Sequence, residues 1–295
     1  GTTYTPIFDD ESTYSTGCIT IDPNDPSVIW LGTGENVGGR HVAYGDGIFK
    51  SEDGGDSWEN MGLRKSEHIS KIIVHPNNSD VIWVASQGPL WSPGGERGLY
   101  KSTDGGSNWK KVLGGGEWTG VTDILIDPRN PDRLYAATWQ RHRTVAALMG
   151  GGPESGLHRS EDGGETWKHL GLKNTGRISR IIIHPKNRDL IYVGSLGHAY
   201  APQKERGVFM SENGGKSWKH VLFIDNKVAG KILNRTFNFH KAIGKSLHYK
   251  NKYSGRYPGS GISNLIDGQN GSENYSDGKW QGWLGEDAEV IIDLD

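Results

Sequence analysis

The carboxylates that recur most regularly in the chain lie in copies of one short motif. Its pattern is Ser, any residue, Asp or Asn, any residue, Gly, two further residues and Trp. A carboxylate beside a glycine turn can act as an acid or base, or it can accept hydrogen bonds from the turn amides. The fourth copy carries Asn213, which keeps a hydrogen-bonding oxygen but cannot exchange a proton, so we interpret the motif as structural. The copies occupy residues 51–58, 102–109, 160–167 and 211–218.

The other fixed positions of the motif favour a tight hairpin. Paired glycines such as Gly54 and Gly55 accept backbone angles that other residues avoid. The tryptophan that ends each copy is expected to fold back over the hairpin and bury its ring. The predicted structural residues are Asp53, Trp58, Asp104, Trp109, Asp162, Trp167, Asn213 and Trp218.

The spacing of the motifs predicts the fold. Successive copies begin 51, 58 and 51 residues apart (51→102→160→211), and a proline turn followed by an apolar run precedes each copy. Each unit of about 50 residues therefore indicates a four-stranded meander, which is the size of a propeller blade. We predict an all-β propeller over residues 1–228 with four recognisable blades. Because four blades are at the small end of what closes into a ring, we interpret the propeller as incomplete.

The units alternate in type, and the second is closely repeated in the fourth. Residues 68–113 repeat between residues 177 and 222 with an offset of 109 (68→177), and turns with Asp-Pro alternate with turns that contain His-Pro. Duplication of a two-blade unit is the simplest explanation.

These motifs resemble the Asp boxes of the BNR family, over roughly residues 5–228. That family includes sialidases, sortilin-type ectodomains, photosystem assembly factors and xyloglucanase-like propellers. The sequence around the boxes is most similar to that of bacterial proteins with a sortilin N-terminal-like region that are labelled glycosyl hydrolases. The resemblance implies the propeller fold, but one fold hosts many activities, so function has to be argued from a site.

A binding site is expected on the loops that join the second and third strands of each blade. The Asp boxes join strands three and four, so these loops lie at the opposite end of a meander, and loops on a rigid scaffold commonly carry function. They span 34–46, 87–96, 139–155 and 196–205. Aromatic rings beside arginine suit sugars or peptides. The candidate ligand-binding residues are Arg40, His41, Trp91, Trp139, Arg141, Arg143, His198 and Tyr200.

Catalysis is a second possibility for the same loops. A glycosidase needs two carboxyl groups that face one glycosidic bond, and Glu35 and Glu205 are the weak candidates. The arginine signature of sialidases is missing, and the nearest string begins at Arg177. The histidines show no metal-ligand spacing, so we expect the propeller to need no cofactor.

Residues 229–295 do not continue the Asp-box pattern. The stretch from Leu265 to Gly268 and the tryptophan-rich run that ends at Trp283 resemble the front half of an F5/8 type C (discoidin) domain, a carbohydrate-binding β-sandwich. That resemblance implies a calcium ion held by oxygen donors. The implied ligands are Asp267, Asn264 and Ser272.

Composition limits the remaining function classes. Lys and Arg number 33 against 35 Asp and Glu, which argues against nucleic acid as a partner. No apolar run is long enough to cross a bilayer, and Cys18 is the single cysteine. We predict a secreted, periplasmic or cell-surface scaffold that binds a glycan or a protein. The alternatives are a glycoside hydrolase of sialidase or xyloglucanase type and a sortilin-like peptide-binding or assembly scaffold.

Overall fold

The computed structural model describes residues 3–36, 39, 41–198, 202–223, 247–250 and 290–292. The chain divides into two compact units, Gly1–Ala229 and Gly230–Asp295. Within the described ranges, no helix is long and apolar enough to span a lipid bilayer.

The first unit is built from four antiparallel sheets of four strands, as the sequence predicts for propeller blades. Blade 1 consists of β1 (Thr16–Ile21), β2 (Ile29–Thr33), β3 (Ile48–Ser51) and β4 (Glu59–Asn60). Blade 2 consists of β5 (Ile69–His75), β6 (Asn78–Ser86), β7 (Gly98–Ser102) and β8 (Lys110–Leu113).

Blades 3 and 4 continue the same meander. Blade 3 contains β9 (Thr119–Asp127), β10 (Asn130–Gln140), β13 (Gly156–Ser160) and β14 (Lys168–His169), with the small hairpin β11 (His142–Arg143) and β12 (Leu148–Met149) in its long loop. Blade 4 contains β15 (Arg177–His184), β16 (Asn187–Gly197), β17 (Gly207–Ser211) and β18 (Lys219–Leu222). Short 3-10 helices, Arg64–Ser66 and Lys173–Thr175, precede β5 and β15.

The apolar core lies between blades. Trp30 of blade 1 packs in one cluster with Ile72 and Ile82 of blade 2, and Trp83 of blade 2 packs in another with Ile124 of blade 3. Burial of these side chains is the main favourable contribution to folding. Neighbouring sheets therefore depend on one another for their cores.

Hydroxyl groups connect the innermost strands of successive blades. Each donates a hydrogen bond to a backbone carbonyl of the first strand of the following blade, so the connection steps along the series in one direction. The pairs are Thr20 to Ile72 at 2.8 Å, Ser70 to Val121 at 3.0 Å and Thr122 to Ile178 at 2.7 Å.

The Asp boxes form hairpin turns, and their hydrogen bonds agree with the structural interpretation. In the first box, the Asp53 carboxylate accepts from the Ser51 hydroxyl at 2.7 Å and from the backbone amide of Ser57 at 2.9 Å. In the fourth box, the Asn213 side-chain oxygen accepts from the Ser217 amide at the same distance. A neutral amide therefore serves the turn as a carboxylate does.

The tryptophans of two boxes contact the preceding blade rather than covering only their own hairpin. The indole N–H of Trp109 donates to the carbonyl of Met61 in blade 1 at 2.8 Å, and that of Trp218 donates to Leu170 in blade 3 at 2.9 Å. Trp167 instead bonds Gly164 of its own turn at 3.0 Å. The prediction that each ring folds over its own hairpin therefore holds for Trp167, but it leaves out the bonds that Trp109 and Trp218 make to the preceding blade.

In the second unit, β19 (Leu247–Tyr249) pairs with β20 (Val290–Ile292) in an antiparallel arrangement. The predicted calcium ligands Asp267, Asn264 and Ser272 lie outside the described residues. The discoidin-like domain and its calcium site stay predictions.

Candidate functional site

The loops between the second and third strands of each blade lie at the end of the sheets opposite the Asp boxes, and we call this end the loop face. It follows from the meander, since β2–β3, β6–β7, β10–β13 and β16–β17 are all joined there. Three features adjoin this face or open from it: a groove, a cluster of arginines and a central cavity.

A groove of about 660 Å³ lies between the loops of blades 1 and 2. Tyr14 and Tyr44 are strongly exposed, at 91% and 73% of their full surface. We call it the tyrosine groove. Its lining includes Tyr14, Tyr44, Asp46, Arg64, Glu67 and Pro89.

Two carboxylates of the tyrosine groove differ in their contacts. Asp46 accepts a hydrogen bond from the Ser12 hydroxyl at 2.7 Å and pairs with the Arg64 guanidinium, so its orientation is held from two sides. The half-buried Glu67 carboxyl makes no hydrogen bond or ion pair with the described residues, so it is available to a ligand.

The backbone of Glu67 adopts a conformation that is unfavourable for residues other than glycine. Its φ is 56°, in the left-handed region that non-glycine residues rarely occupy. Such a conformation costs on the order of 1–3 kcal/mol and is concentrated at functional sites. Glu67 also flanks the C-terminal end of the 3-10 helix before β5, two positions before the first residue of that inner strand, Ile69.

Beside this groove lies a second feature, in which arginines stack on tryptophans. Arg97 lies over Trp118 at 5.5 Å, and Arg143 over Trp91 at 5.3 Å, measured from guanidinium carbon to ring centre. We call this set the arginine–tryptophan cluster. Its members are Arg97, Arg141, Arg143, Arg177, Trp91, Trp118 and Trp139.

The arginines of the cluster differ in how many of their N–H donors have hydrogen-bond acceptors. Arg97 donates hydrogen bonds to the carbonyls of Gln87 at 2.8 Å, Gly94 at 3.0 Å and Ser92 at 2.7 Å. These bonds stabilise the conformation of the loop that precedes it. Arg141 is 2% exposed and donates from Nη2 to the carbonyl of Gly88 at 3.1 Å. Arg97 is therefore structural, whereas Arg141 keeps donor capacity.

Burial and mutual repulsion shift the charge balance of the cluster. Burial, together with the nearby charges of Arg97, Arg177 and Arg143, lowers the pKa of Arg141 to about 9, while Glu67 opposes the shift. Burial likewise lowers the pKa of Arg97 to about 10, again opposed by Glu67. The field of Glu67 thus reaches the cluster, and positive charge exceeds negative charge there.

A central cavity of about 460 Å³ is lined by the inner strands of all four blades. Lys71 pairs with Asp123 at 2.9 Å, and the second oxygen of Asp123 accepts the amide of Ile181 at 2.7 Å. Arg177 and Arg180 also line the cavity. Neither has a carboxylate partner among the described residues, so the cavity is positively charged.

The predicted catalytic candidates lie in the loops of blades 1 and 4. Glu35 accepts the amide of Ala43 within its own loop at 3.3 Å, and Glu205 lies in the loop of blade 4. Neither residue lines the tyrosine groove or the central cavity. The glycosidase pairing of Glu35 with Glu205 stays a prediction.

The predicted ligand-binding residues are distributed unevenly. Trp91 is 46% exposed, whereas Trp139, Arg141 and Arg143 are buried, so these three contribute to a buried cluster rather than to an open surface. The amide of His198 donates to the Gln203 side chain at 2.7 Å. His41 is exposed, and Arg40 and Tyr200 lie outside the described residues.

Sequence reasoning missed Tyr14, Asp46 and Glu67, because none of them lies in a repeated motif. One signal could have found Glu67: the offset of 109 between blades 2 and 4 pairs it with Gly176 (67→176), so a carboxylate replaces a glycine in a repeat. Among the described residues, no group of three or more His, Cys, Asp or Glu side chains is placed to hold a metal ion.

Comparison with known proteins adds distant relatives. No family model matches the chain. It is 24% identical over 217 residues to an oligoxyloglucan-reducing end-specific xyloglucanase of Emericella nidulans, covering 70% of this chain and 23% of that enzyme. It is 24% identical over 241 residues to a xyloglucanase of Acetivibrio thermocellus, covering 69% and 25%. The chain thus spans about a quarter of the length of each.

Solved structures identify the fold. The crystal structure of an ancestral GH74 enzyme superposes with a TM-score of 0.52 and 21% identity, over 72% of this chain and 24% of that one. The chain shares the propeller fold of GH74 enzymes. The GH74 xyloglucanase from Xanthomonas campestris gives a TM-score of 0.51 with 16% identity, over 69% of this chain and 29% of that one. The curated relatives also include a photosystem II assembly lipoprotein of Synechococcus, which is 25% identical over 155 residues, covering 52% of this chain and 39% of that protein.

Proposed function

We propose that this chain is part of a glycoside hydrolase that acts on glucan chains of the xyloglucan type, with the tyrosine groove as the substrate site. The observation that carries the proposal is that exposed aromatic rings and two carboxylates line one groove of about 660 Å³. Sugar rings stack on aromatic faces, and carboxylates accept hydrogen bonds from hydroxyls. The xyloglucanase relatives favour this alternative over a pure binding scaffold.

The contacts of the two carboxylates suggest their roles. Glycoside hydrolysis needs one carboxyl group to protonate the departing glycosidic oxygen and a second to assist the attack on the anomeric carbon. Arg64 neutralises the charge of Asp46 and Ser12 orients it, which suits the second role. Glu67 is free of such partners and suits the first role, in which its proton passes to the leaving oxygen and water supplies the new hydroxyl.

The direct test is release of reducing ends from xyloglucan oligosaccharides by the full chain, together with calorimetric binding. Tyr44→Ala should weaken binding about tenfold through loss of a stacking surface. Tyr4→Ala removes another strongly exposed tyrosine, which lies outside the groove, and is the matched control. Glu67→Gln should abolish turnover while binding persists.

Two results would overturn the proposal in different ways. If the wild-type chain binds the oligosaccharides without any turnover, and Glu67→Gln binds them equally well, the scaffold interpretation is favoured. Binding that Tyr44→Ala and Tyr4→Ala weaken equally would remove the groove as the site.

A further inference from the structure

Three buried N–H donors in the arginine–tryptophan cluster have no hydrogen-bond acceptor among the described residues. They are Nε of Arg141, Nε of Arg177 and Nε1 of Trp139. Buried donors are nearly always paired in folded proteins, and leaving one unpaired costs about 1–3 kcal/mol. Three such donors on residues in contact with one another therefore call for an explanation.

The three donors are grouped around one ring. The guanidinium carbon of Arg141 lies 4.9 Å from the ring centre of Trp139, and that of Arg177 lies 5.0 Å from it. Arg141 comes from the long loop of blade 3 and Arg177 begins the first strand of blade 4. The blades thus bring two guanidinium groups and an indole N–H together.

The cluster contains no acid that neutralises these arginines. Arg177 donates from Nη2 to the carbonyl of Asn36 at 2.9 Å, and Arg141 to the carbonyl of Gly88, but neither forms an ion pair with a described carboxylate. The guanidinium groups of Arg141 and Arg177 repel each other, and each keeps an unpaired N–H donor. An anion bound between them would relieve the repulsion and accept these hydrogen bonds. Arginine binds a planar carboxylate through two parallel hydrogen bonds.

We propose that the arginine–tryptophan cluster binds the carboxylate of an acidic sugar, such as a uronic acid residue. Arg141 and Arg177 donate to the carboxylate, and the indole N–H of Trp139 supplies a third hydrogen bond. Arg177 lines the central cavity, and Trp91, half-exposed beside Arg143, offers a stacking surface at the loop face. Arg141 and Trp139 are buried, so binding of the carboxylate requires their side chains to shift.

A saccharide is favoured over a free anion because the cluster adjoins the tyrosine groove. Arg97 of the cluster donates hydrogen bonds to the carbonyls of Pro89 and Ser92, and both of these residues line the groove. The proposal shares with the proposed function only the saccharide nature of the ligand. Its test measures binding rather than turnover, so either can fail while the other stands.

The test uses the full chain and measures its melting temperature with galacturonic acid oligomers and with four comparison solutes at matched ionic strength. These are neutral xyloglucan oligosaccharides, an acetylated peptide that ends in a free carboxylate, sodium sulfate and sodium chloride. Arg177→Gln removes one proposed donor. Arg188→Gln makes the same change at an exposed arginine of the same blade and is the matched control. We expect the uronate oligomers to raise the melting temperature above the chloride reference, and their affinity to fall about tenfold in Arg177→Gln but not in Arg188→Gln.

The remaining arms distinguish other occupants. If Arg177→Gln fails to fold, the comparison of uronate with chloride on the wild-type chain still decides the proposal. A shift with sulfate but none with uronate, or an equal shift with an acetylated peptide that ends in a free carboxylate, would overturn the assignment to a sugar acid. Equal affinity in both variants would remove the cluster as the site.

Discussion

Glu67 and Gly176 occupy equivalent positions in blades 2 and 4, and both have positive φ angles, 56° and 65°. The residue four positions earlier, leucine in both blades, also has a positive φ, at 51° and 59°. The leucines show that the turn itself is a feature of the fold. The difference between carboxylate and glycine within that turn points to a role for the Glu67 side chain.

Replacement of Glu67 should separate stability from function. Glu67→Gly relieves the left-handed strain, so we expect the free energy of unfolding to rise by about 1 kcal/mol, after allowance for the greater freedom of glycine in the unfolded chain. Glu67→Ala keeps the strain and removes the carboxylate, so it should lose activity without gaining stability. Urea unfolding and reducing-end assays on both variants check this, and a loss of stability in Glu67→Gly would show that the side chain holds the turn.

The Asp boxes offer a test of structural against catalytic carboxylates. In the first box the hydroxyl of Ser57 bonds the second Asp53 oxygen at 2.6 Å, and in the fourth box Asn213 donates to the hydroxyl of Ser217 at 2.7 Å. Asp53→Asn therefore recreates the fourth box in the first. We expect it to retain the wild-type melting temperature, whereas Asp53→Ala should lower it by several degrees, both with glycan binding intact. Loss of binding in folded Asp53→Asn would contradict the structural interpretation.

A pair of tryptophans measures the coupling of blades 1 and 2. Trp30 and Trp109 meet edge to face, with ring centres 6.4 Å apart at 86°. Such pairs contribute about 1 kcal/mol beyond their buried area. In a double-mutant cycle with Trp30→Leu and Trp109→Leu, urea unfolding should therefore give a coupling energy of about 1 kcal/mol. A value near zero would mean that the two blades pack without this contact.

Acid should destabilise the first unit through His68. Burial lowers the pKa of this side chain to about 4, assisted by repulsion from Arg141. Between pH 6.5 and 4 the unfolded chain binds a proton that the folded chain does not, so stability falls as the pH falls through this window. The loss from His68 is on the order of 3 kcal/mol. His68→Gln should flatten the profile of unfolding energy against pH, and His41→Gln, at an exposed position, should not; equal profiles would exclude His68 as the cause.

The blades could be predicted because their signals are local. Each Asp box lies within eight residues, and its hydrogen bonds join residues such as Asp53 and Ser57 that are neighbours in the chain. The alternation of box and proline turn then places the strands, and the four sheets confirm the prediction of an all-β propeller.

The candidate site could not be predicted in the same way, because its contacts are distant in sequence. Tyr14, Glu67 and Pro89 line one groove although they come from three different segments. Arg177 bonds Asn36 across 141 positions of the chain. Arg141 lies in a loop that the sequence marks as a binding region, yet the fold buries it, since its guanidinium packs on Trp139.

The most direct test of the proposed substrate site is a crystal structure of the chain with a bound xyloglucan oligosaccharide. The account predicts sugar density in the tyrosine groove, stacked on Tyr14 or Tyr44, with a glycosidic oxygen within hydrogen-bond reach of Glu67. Sugar bound at the Asp-box hairpins instead, with the groove unoccupied, would contradict it.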